Sequence, residues 1–197
     1  MKRRIMTIGL CLILLFTMCL STAGAAGYVS TGSTVTFGSY LGATIEWIVL
    51  TKSGDYALLL SKYVLDAHPW HSATYGATWS NSSISNWLSS DFYYEAFSDT
   101  ERSAIYISFA GPVFLLSESE CREYVRSYDM KATATYTAVR RGAHVENNGY
   151  SWWWLRDVGS SSNKALGVSS QAAINSFNMN RESGGVRPAV WVNMNAL

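Results

Sequence analysis

The sequence is poor in charge, proline and cysteine. Charged residues make up 15% of its 197 residues, against roughly 25% in an average soluble domain. It has three cysteines, of which Cys11 and Cys19 lie in the first 25 residues. If that segment is removed, only the thiol of Cys121 remains, and a single thiol cannot form an internal disulfide. We therefore expect a fold that no disulfide stabilises.

Residues 1–25 have the pattern of a secretory signal peptide. A basic head, Met1 to Arg4, precedes an apolar run from Ile5 to Leu20, and small residues follow. The run is too short and wrongly flanked for a transmembrane helix, which needs roughly 20 apolar residues, and no second long apolar segment follows it. We expect cleavage after Ala25, secretion of the mature protein, and no membrane span after cleavage.

The predicted mature chain is weakly acidic. Three of the 15 Lys and Arg residues leave with the signal peptide, so 12 remain against 14 Asp and Glu, a net charge of −2. A chain of this charge lacks the basic surface of a nucleic-acid-binding protein, so we expect no nucleic-acid partner. After a small-residue lead-in at 26–33, the sequence has no repeat or internal linker. We expect residues 34–197 to form one domain, and the protein to be a monomer.

Aromatic residues are abundant, with 8 Trp, 12 Tyr and 7 Phe, and periodicity places them on strands and helices. Strand patterns occupy 34–37, 44–50, 56–61, 113–116, 152–155, 165–168 and 186–192. Ile84, Trp87 and Leu88 have helical spacing behind a serine-rich N-cap cluster. Two S-x-x-E capping boxes, at 98–101 and 117–120, predict further helix starts. The pattern predicts an α+β fold with two or more short helices in the middle of the chain.

The order of these motifs resembles a family of domains of unassigned activity in exported proteins of gut-type Gram-positive bacteria. The motifs include VTFGSY at 35–40, IEWIVL at 45–50, WWLR at 153–156 and GVRPAVW at 185–191. The resemblance extends from about Thr34 to the C-terminus, although the family usually continues WWLR with Ser-Pro-Gly where this chain has Asp-Val-Gly. The ending is similar to C-type-lectin-like folds and to their formylglycine-generating-enzyme branch. It implies a lectin-like domain with mixed or antiparallel sheets, whose C-terminal loops present a ligand surface.

This chain lacks the residues that the known activities of those relatives require. The formylglycine-generating oxidation depends on paired cysteines that bind copper, whereas Cys121 stands alone. Calcium-binding lectins use a proline-containing acidic or amide tripeptide, and Pro69, Pro112 and Pro188 lie in no such tripeptide. A calcium site built from isolated loop residues stays open at this point, but we expect no metal, no cofactor and no catalytic residue.

Four charges lie within apolar segments. Glu46, Asp66, Arg156 and Arg187 each stand among large apolar residues at or near a strand. A buried charge without a partner costs several kcal/mol, so we predict structural roles for these four. At least one of the two arginines should be buried and hydrogen-bonded to a carboxylate or to loop carbonyls.

The tryptophan run 152–154 has two interpretations. In a strand, Trp152 and Trp154 point to one face and Trp153 to the other. Either one face is exposed and offers a ring that can stack on a sugar, or all three rings are covered by an aromatic-rich core. Polar donors for a ligand lie on the loops at 159–164 and 175–184, namely Asn163, Lys164, Asn178, Asn180 and Arg181.

The sequence therefore predicts a secreted ligand-binding module that recognises a glycan, a cell-wall component or a surface protein. Its predicted ligand-binding residues are Trp152, Trp154 and the five polar loop residues. The alternative is an exported hydrolase that uses two carboxylates about 5 to 10 Å apart in a cleft. Its candidate carboxylates are Glu46, Asp66, Asp91, Glu95 and Asp157.

Overall fold

The structure, a computed structural model, describes residues 29–73 and 76–197. The predicted signal peptide and the first three lead-in residues lie outside the described residues. The strands in the described part are β1 (Thr34–Tyr40), β2 (Ala43–Ser53), β3 (Tyr56–Ser61), β4 (Asp66–Ala67), β5 (Ile105–Tyr106), β6 (Trp153–Val158), β7 (Lys164–Val168), β8 (Ile174–Asn178), β9 (Gly185–Val186) and β10 (Ala189–Asn193). The helices are α1 (Ser83–Trp87), α2 (Tyr93–Ala96), α3 (Asp99–Ala104), α4 (Glu118–Tyr124) and α5 (Tyr136–Arg140).

The strands form two five-stranded sheets. The first sheet has the order β1-β2-β3-β10-β5, and its neighbouring strands are antiparallel. The second has the order β4-β9-β6-β7-β8 and is mixed, because β6 and β9 run parallel. With its short helices between β4 and β6, the chain is an α+β protein. No helix among the described residues is long and apolar enough to cross a lipid bilayer.

Tight turns join the first three strands. Leu41 and Gly42 form a two-residue connection between β1 and β2, and both have positive φ, at 49° and 82°. Positive φ at both positions matches the twist of a hairpin, and glycine adopts it without steric cost. Gly54 and Asp55 form the two-residue connection between β2 and β3, in which Gly54 has positive φ, at 56°, and Asp55 does not. The predicted hairpin of 44–50 with 56–61 is confirmed.

The middle of the chain is helical, as its spacing predicted. The Ser82 hydroxyl accepts the Ser85 N–H and caps α1. A π-helical turn, Leu88–Phe92, connects α1 to α2 without a break. Both predicted capping boxes are confirmed: they start α3 at Ser98 and α4 at Ser117.

The first sheet has apolar side chains packed on both of its faces. On β3, Leu59 belongs to one cluster of buried residues, whereas Leu58 and Leu60 belong to a second. The same alternation occurs on β10, where Val190 and Ala189 lie in different clusters. Because successive side chains of a strand point to opposite faces, the two clusters lie on opposite sides of this sheet.

Three predicted elements differ in the structure. Residues 113–116 form a single bridge, between Phe114 and Ala189, rather than a strand. The predicted loop 175–184 contains most of β8, whose alternation is hidden by its small and polar residues. The predicted strand 186–192 is divided into β9 and β10, because Pro188 has no N–H to donate to a ladder.

Candidate functional site

The tryptophan strand offers no exposed ring. Trp152 is 3% exposed, and Trp153 and Trp154 are fully buried. The Trp152 ring stacks on Phe177 with centroids 4.3 Å apart and meets the edge of Trp154 at 4.6 Å. Trp152 and Trp154 belong to one cluster of buried residues and Trp153 to the other, so both faces of the chain are covered at 152–154. All three rings are therefore covered by an aromatic-rich core. Neither Trp152 nor Trp154 has a ring face that is accessible for stacking on a ligand.

The predicted polar residues do come together, at the end of the β7–β8 hairpin. Lys164 lies opposite Asn178 in the ladder, and the Met179 N–H donates to the Asn163 carbonyl over 2.9 Å. Asn180 and Arg181 follow β8 and are exposed. The Arg181 guanidinium lies 5.3 Å from the Trp152 ring centroid. These side chains form a solvated polar surface. None of them lines the neighbouring cavity of about 190 Å³, whose lining residues are 159–162, Gly76, Ala77, Val158 and Met179.

Asp66 is fully buried and hydrogen-bonded. Its carboxylate accepts the Tyr40 hydroxyl over 2.5 Å, Arg141 Nε over 2.7 Å and the Ala67 N–H over 2.7 Å. His68 Nε2 lies 3.7 Å away, an ion pair only when the imidazole is protonated. Burial alone would raise the pKa of Asp66, but its contacts with His68, Tyr40 and the Ala67 N–H outweigh burial and lower that pKa. Asp66 is thus a structural anion.

The other predicted structural charges differ in burial. Arg187 is 1% exposed and donates Nε to the Ser61 carbonyl over 2.8 Å. Arg156 is nearly buried and forms a two-point ion pair with Glu120. Glu46 departs from the expectation, since 38% of its side chain is exposed beside Lys62, 3.0 Å away. It lies at a partly exposed position of β2, where water and a lysine solvate the charge.

Three of the five candidate carboxylates of the hydrolase alternative have partners within the protein. Asp66 and Glu46 are engaged by cations, and Asp157 accepts the Glu118 N–H over 2.5 Å. Within residues 29–73 and 76–197, no three His, Cys, Asp or Glu side chains converge as a metal site. Cys121 is buried, and burial raises the pKa of its thiol to about 11. Such a thiol is protonated at neutral pH and is a poor nucleophile.

The register of the first sheet assembles a row of aromatic side chains on one face. Trp191 on β10 lies directly opposite Tyr106 on β5, and Tyr56 on β3 lies directly opposite Ser53 on β2. Leu58, two residues beyond Tyr56, is the partner of Trp191 on β3. Directly opposed residues point to the same face, so side chains from four adjacent strands converge there.

These side chains line an open groove of about 370 Å³. We call it the aromatic groove; its lining residues are Ser53, Tyr56, Tyr106, Ser108, Phe109 and Trp191. The Tyr56 and Tyr106 ring centroids are 5.6 Å apart. Tyr106 is 55% exposed and Phe109 is 92% exposed, whereas Trp191 is half-buried against the second apolar cluster. A volume in this range is typical of ligand sites.

The composition of the groove restricts what can bind there. Its lining contains four aromatic rings and two serine hydroxyls but no charged side chain. Ring faces attract apolar C–H surface, while tyrosine, serine and indole groups supply hydrogen bonds. Exposed rings of this number are unusual on a soluble protein and mark an interaction surface. The groove therefore suits an uncharged ligand that has both apolar faces and hydroxyl groups.

The sequence pattern predicts only part of this groove. Alternation along Ala189 to Asn193 puts Trp191 on the opposite face from Val190 and Val192. However, the pairing of β10 with both β3 and β5 joins segments distant in sequence, and no strand pattern specifies it. Phe109 lies in a loop closed by a bridge between Ser108 and Gly111, and periodicity gives no signal there.

Comparison with known proteins identifies a family. A family model described as a domain of unknown function, DUF6273, matches residues 54–110 and 107–194. The matched span includes every residue of the aromatic groove except Ser53. No curated protein matches the chain, and no solved structure does. Because the matched segments make up more than half of its length, the chain belongs to the DUF6273 family.

Proposed function

We propose that this protein is a secreted carbohydrate-binding module that holds a neutral glycan in the aromatic groove. The observation that supports this most strongly is the convergence of Tyr56, Tyr106 and Trp191 on one sheet face, with Phe109 at the rim. A pyranose ring presents a C–H face that packs on aromatic rings, and its hydroxyls need partners such as Ser53 and Ser108. The uncharged lining favours neutral sugars over acidic ones.

Export rests on the signal-peptide pattern of residues 1–25. A glycan outside the cell, in a cell wall or on a neighbouring surface, is the ligand class that a secreted module would meet. The mixed two-sheet α+β architecture is compatible with the C-type-lectin-like fold that the sequence resemblance implies. The ligand surface we propose nevertheless differs from the C-terminal loops that the resemblance implied, because the exposed rings lie on the first sheet.

The test is binding to a panel of insoluble and soluble glycans, including cellulose, chitin, starch and peptidoglycan. Tyr106→Ala and Phe109→Ala remove exposed rings without opening the core. Each should weaken binding about tenfold, since losing one ring that packs on the ligand costs about 1.4 kcal/mol. The measurement is the dissociation constant from depletion or calorimetric titration.

The matched control is Tyr136→Ala on α5, which removes a ring that is 78% exposed and lies outside the groove. Its affinity should equal that of the unmodified protein. Equal losses in all three variants, or binding of an aromatic-rich or proline-rich peptide with no glycan bound, would contradict the proposal.

A further inference from the structure

A third cavity, of about 230 Å³, is lined mainly by polar and cationic residues. We call it the cationic pocket; its lining residues are Gly32, Thr34, Ile48, Lys62, Tyr63, Arg126, Asp129, Lys131, Thr133, Tyr150 and Arg187. It lies where the lead-in, the end of β3 and the segment after α4 meet. It shares no lining residue with the aromatic groove.

The buried cation of this pocket, Arg187, donates hydrogen bonds only to backbone carbonyls, and the Asp129 carboxylate attracts it electrostatically. It donates to three carbonyls: Nε to Ser61 over 2.8 Å, Nη1 to Asp129 over 2.6 Å and Nη2 to Lys62 over 3.4 Å. Its guanidinium also lies 4.9 Å from the Trp153 ring centroid. A guanidinium has five N–H donors, so these bonds leave two of them for another acceptor. Burial lowers the pKa of Arg187 to about 10, which still leaves the group charged at neutral pH.

Positive charge predominates among the other lining residues. Arg126 Nε contacts the Asp129 carboxylate over 2.8 Å, the one acidic group of the lining. Lys131 is exposed, with its ammonium 5.6 Å from the Tyr150 ring centroid. With Lys62 and Arg187, the lining has four cations against one anion, although Lys62 Nζ also pairs with the Glu46 carboxylate outside the lining, over 3.0 Å. Hydroxyls of Tyr63, Tyr150, Thr34 and Thr133 add neutral donors around the same space.

We propose that the cationic pocket binds a tetrahedral oxyanion, the phosphate or sulfate group of a ligand. Donors reach this space from β1, from the end of β3, from segment 126–133 and from the buried arginine. A tetrahedral anion has acceptor oxygens in several directions, whereas a planar carboxylate has two in one plane. Guanidinium forks match phosphate and sulfate oxygens in pairs, and charge-assisted bonds of this kind are the strong ones. Anion binding in the cationic pocket does not depend on glycan binding in the aromatic groove.

The test is calorimetric titration of the protein with inorganic phosphate, sulfate and acetate at constant ionic strength. Phosphate and sulfate should bind, and acetate should bind at least about tenfold more weakly. Arg126→Gln and Lys131→Gln should each weaken phosphate binding about tenfold, the effect of removing one hydrogen bond to a charged group. Circular dichroism of each variant checks that it is folded.

The matched controls are Arg181→Gln and Lys164→Gln, which remove the same charges from the β7–β8 hairpin. Phosphate binding should be unchanged in both controls and in Tyr106→Ala. Equal losses in pocket and hairpin variants, equal affinities for acetate and phosphate, or no measurable binding of phosphate or sulfate would overturn the proposal. A sugar phosphate that binds more tightly than inorganic phosphate would identify a phosphorylated glycan as the source of the anion, and equal affinities would identify free phosphate.

Discussion

Asp66 and Arg187 are both buried charges, but they are stabilised by different partners. Asp66 has a cation, Arg141, in addition to the Tyr40 hydroxyl and a backbone N–H. Arg187 has carbonyl dipoles and an aromatic face. The Arg141 side chain is 44% exposed, so losing the Asp66 carboxylate costs stability chiefly because the Tyr40 hydroxyl and the Ala67 N–H lose a charged acceptor. The ionised form of Asp66 should therefore contribute measurably to stability.

We predict that Asp66→Asn lowers the free energy of unfolding at pH 7 by about 2 kcal/mol, because hydrogen bonds to a buried anion are replaced by weaker ones to a neutral amide. Because the folded-state pKa of Asp66 is lowered, its contribution is fully present above the unfolded-state pKa of about 4 and is lost as the pH falls through the folded-state pKa. The difference in free energy of unfolding between the unmodified protein and the variant should then shrink as the pH decreases below about 4. Urea unfolding at a series of pH values measures it.

The control is Asp91→Asn, which changes an exposed carboxylate in the π-helical turn. Its free energy of unfolding should stay within about 0.5 kcal/mol of that of the unmodified protein. A difference for Asp66→Asn that does not change with pH would contradict an electrostatic role.

Both capping boxes connect a short helix to a sheet. In the box that starts α3, Glu101 Oε1 also accepts the Gly38 N–H of β1 over 3.0 Å. In the box that starts α4, Glu120 accepts the Ser117 N–H over 2.8 Å and also pairs with Arg156 of β6. The glutamate of each box therefore has two functions: it satisfies the helix start and fixes the helix against a strand.

This double function predicts unequal losses within one capping box. Ser117→Ala removes the cap alone and should lower the free energy of unfolding by about 1 kcal/mol. Glu120→Ala removes part of the cap and leaves the nearly buried Arg156 without its carboxylate, so it should cost about 3 kcal/mol. Chemical unfolding of the two variants gives the comparison.

Glu118→Ala, which breaks a surface pair with Arg122 on the same helix, should cost less than about 0.5 kcal/mol. A Glu120→Ala variant no less stable than Ser117→Ala would show that the link to β6 contributes nothing.

Across the molecule, the sequence was most informative where a local pattern decides the structure. The two β-rich runs with their short Gly-bearing connection predicted the β2–β3 hairpin, and the two serine–glutamate boxes predicted two helix starts, all of which are present. Segment 174–178 was predicted as a loop because Asn175, Ser176 and Asn178 are polar. In the structure it pairs along its whole length with β7, so tertiary pairing overrides its low strand propensity.

The candidate site depends on long-range pairing, which sequence patterns do not specify. The sequence placed tryptophans at 152–154 and at 191, but burial depends on which strands become neighbours. The tryptophans at 152–154 lie within the two apolar clusters and are covered, whereas β10 pairs with the two-residue strand β5, where Trp191 lies opposite the exposed Tyr106. The aromatic groove is therefore a property of the assembled first sheet.

The most direct test of glycan binding in this groove is a nuclear magnetic resonance titration with neutral oligosaccharides of the cellulose and chitin types. The central claim predicts that aromatic resonances of Tyr56, Tyr106, Phe109 and Trp191 shift with a single saturating dependence on oligosaccharide concentration. Resonances of Lys164, Asn178 and Arg181 on the β7–β8 hairpin should stay unchanged. Shifts confined to that hairpin, with the groove rings unaffected at saturation, would contradict the claim.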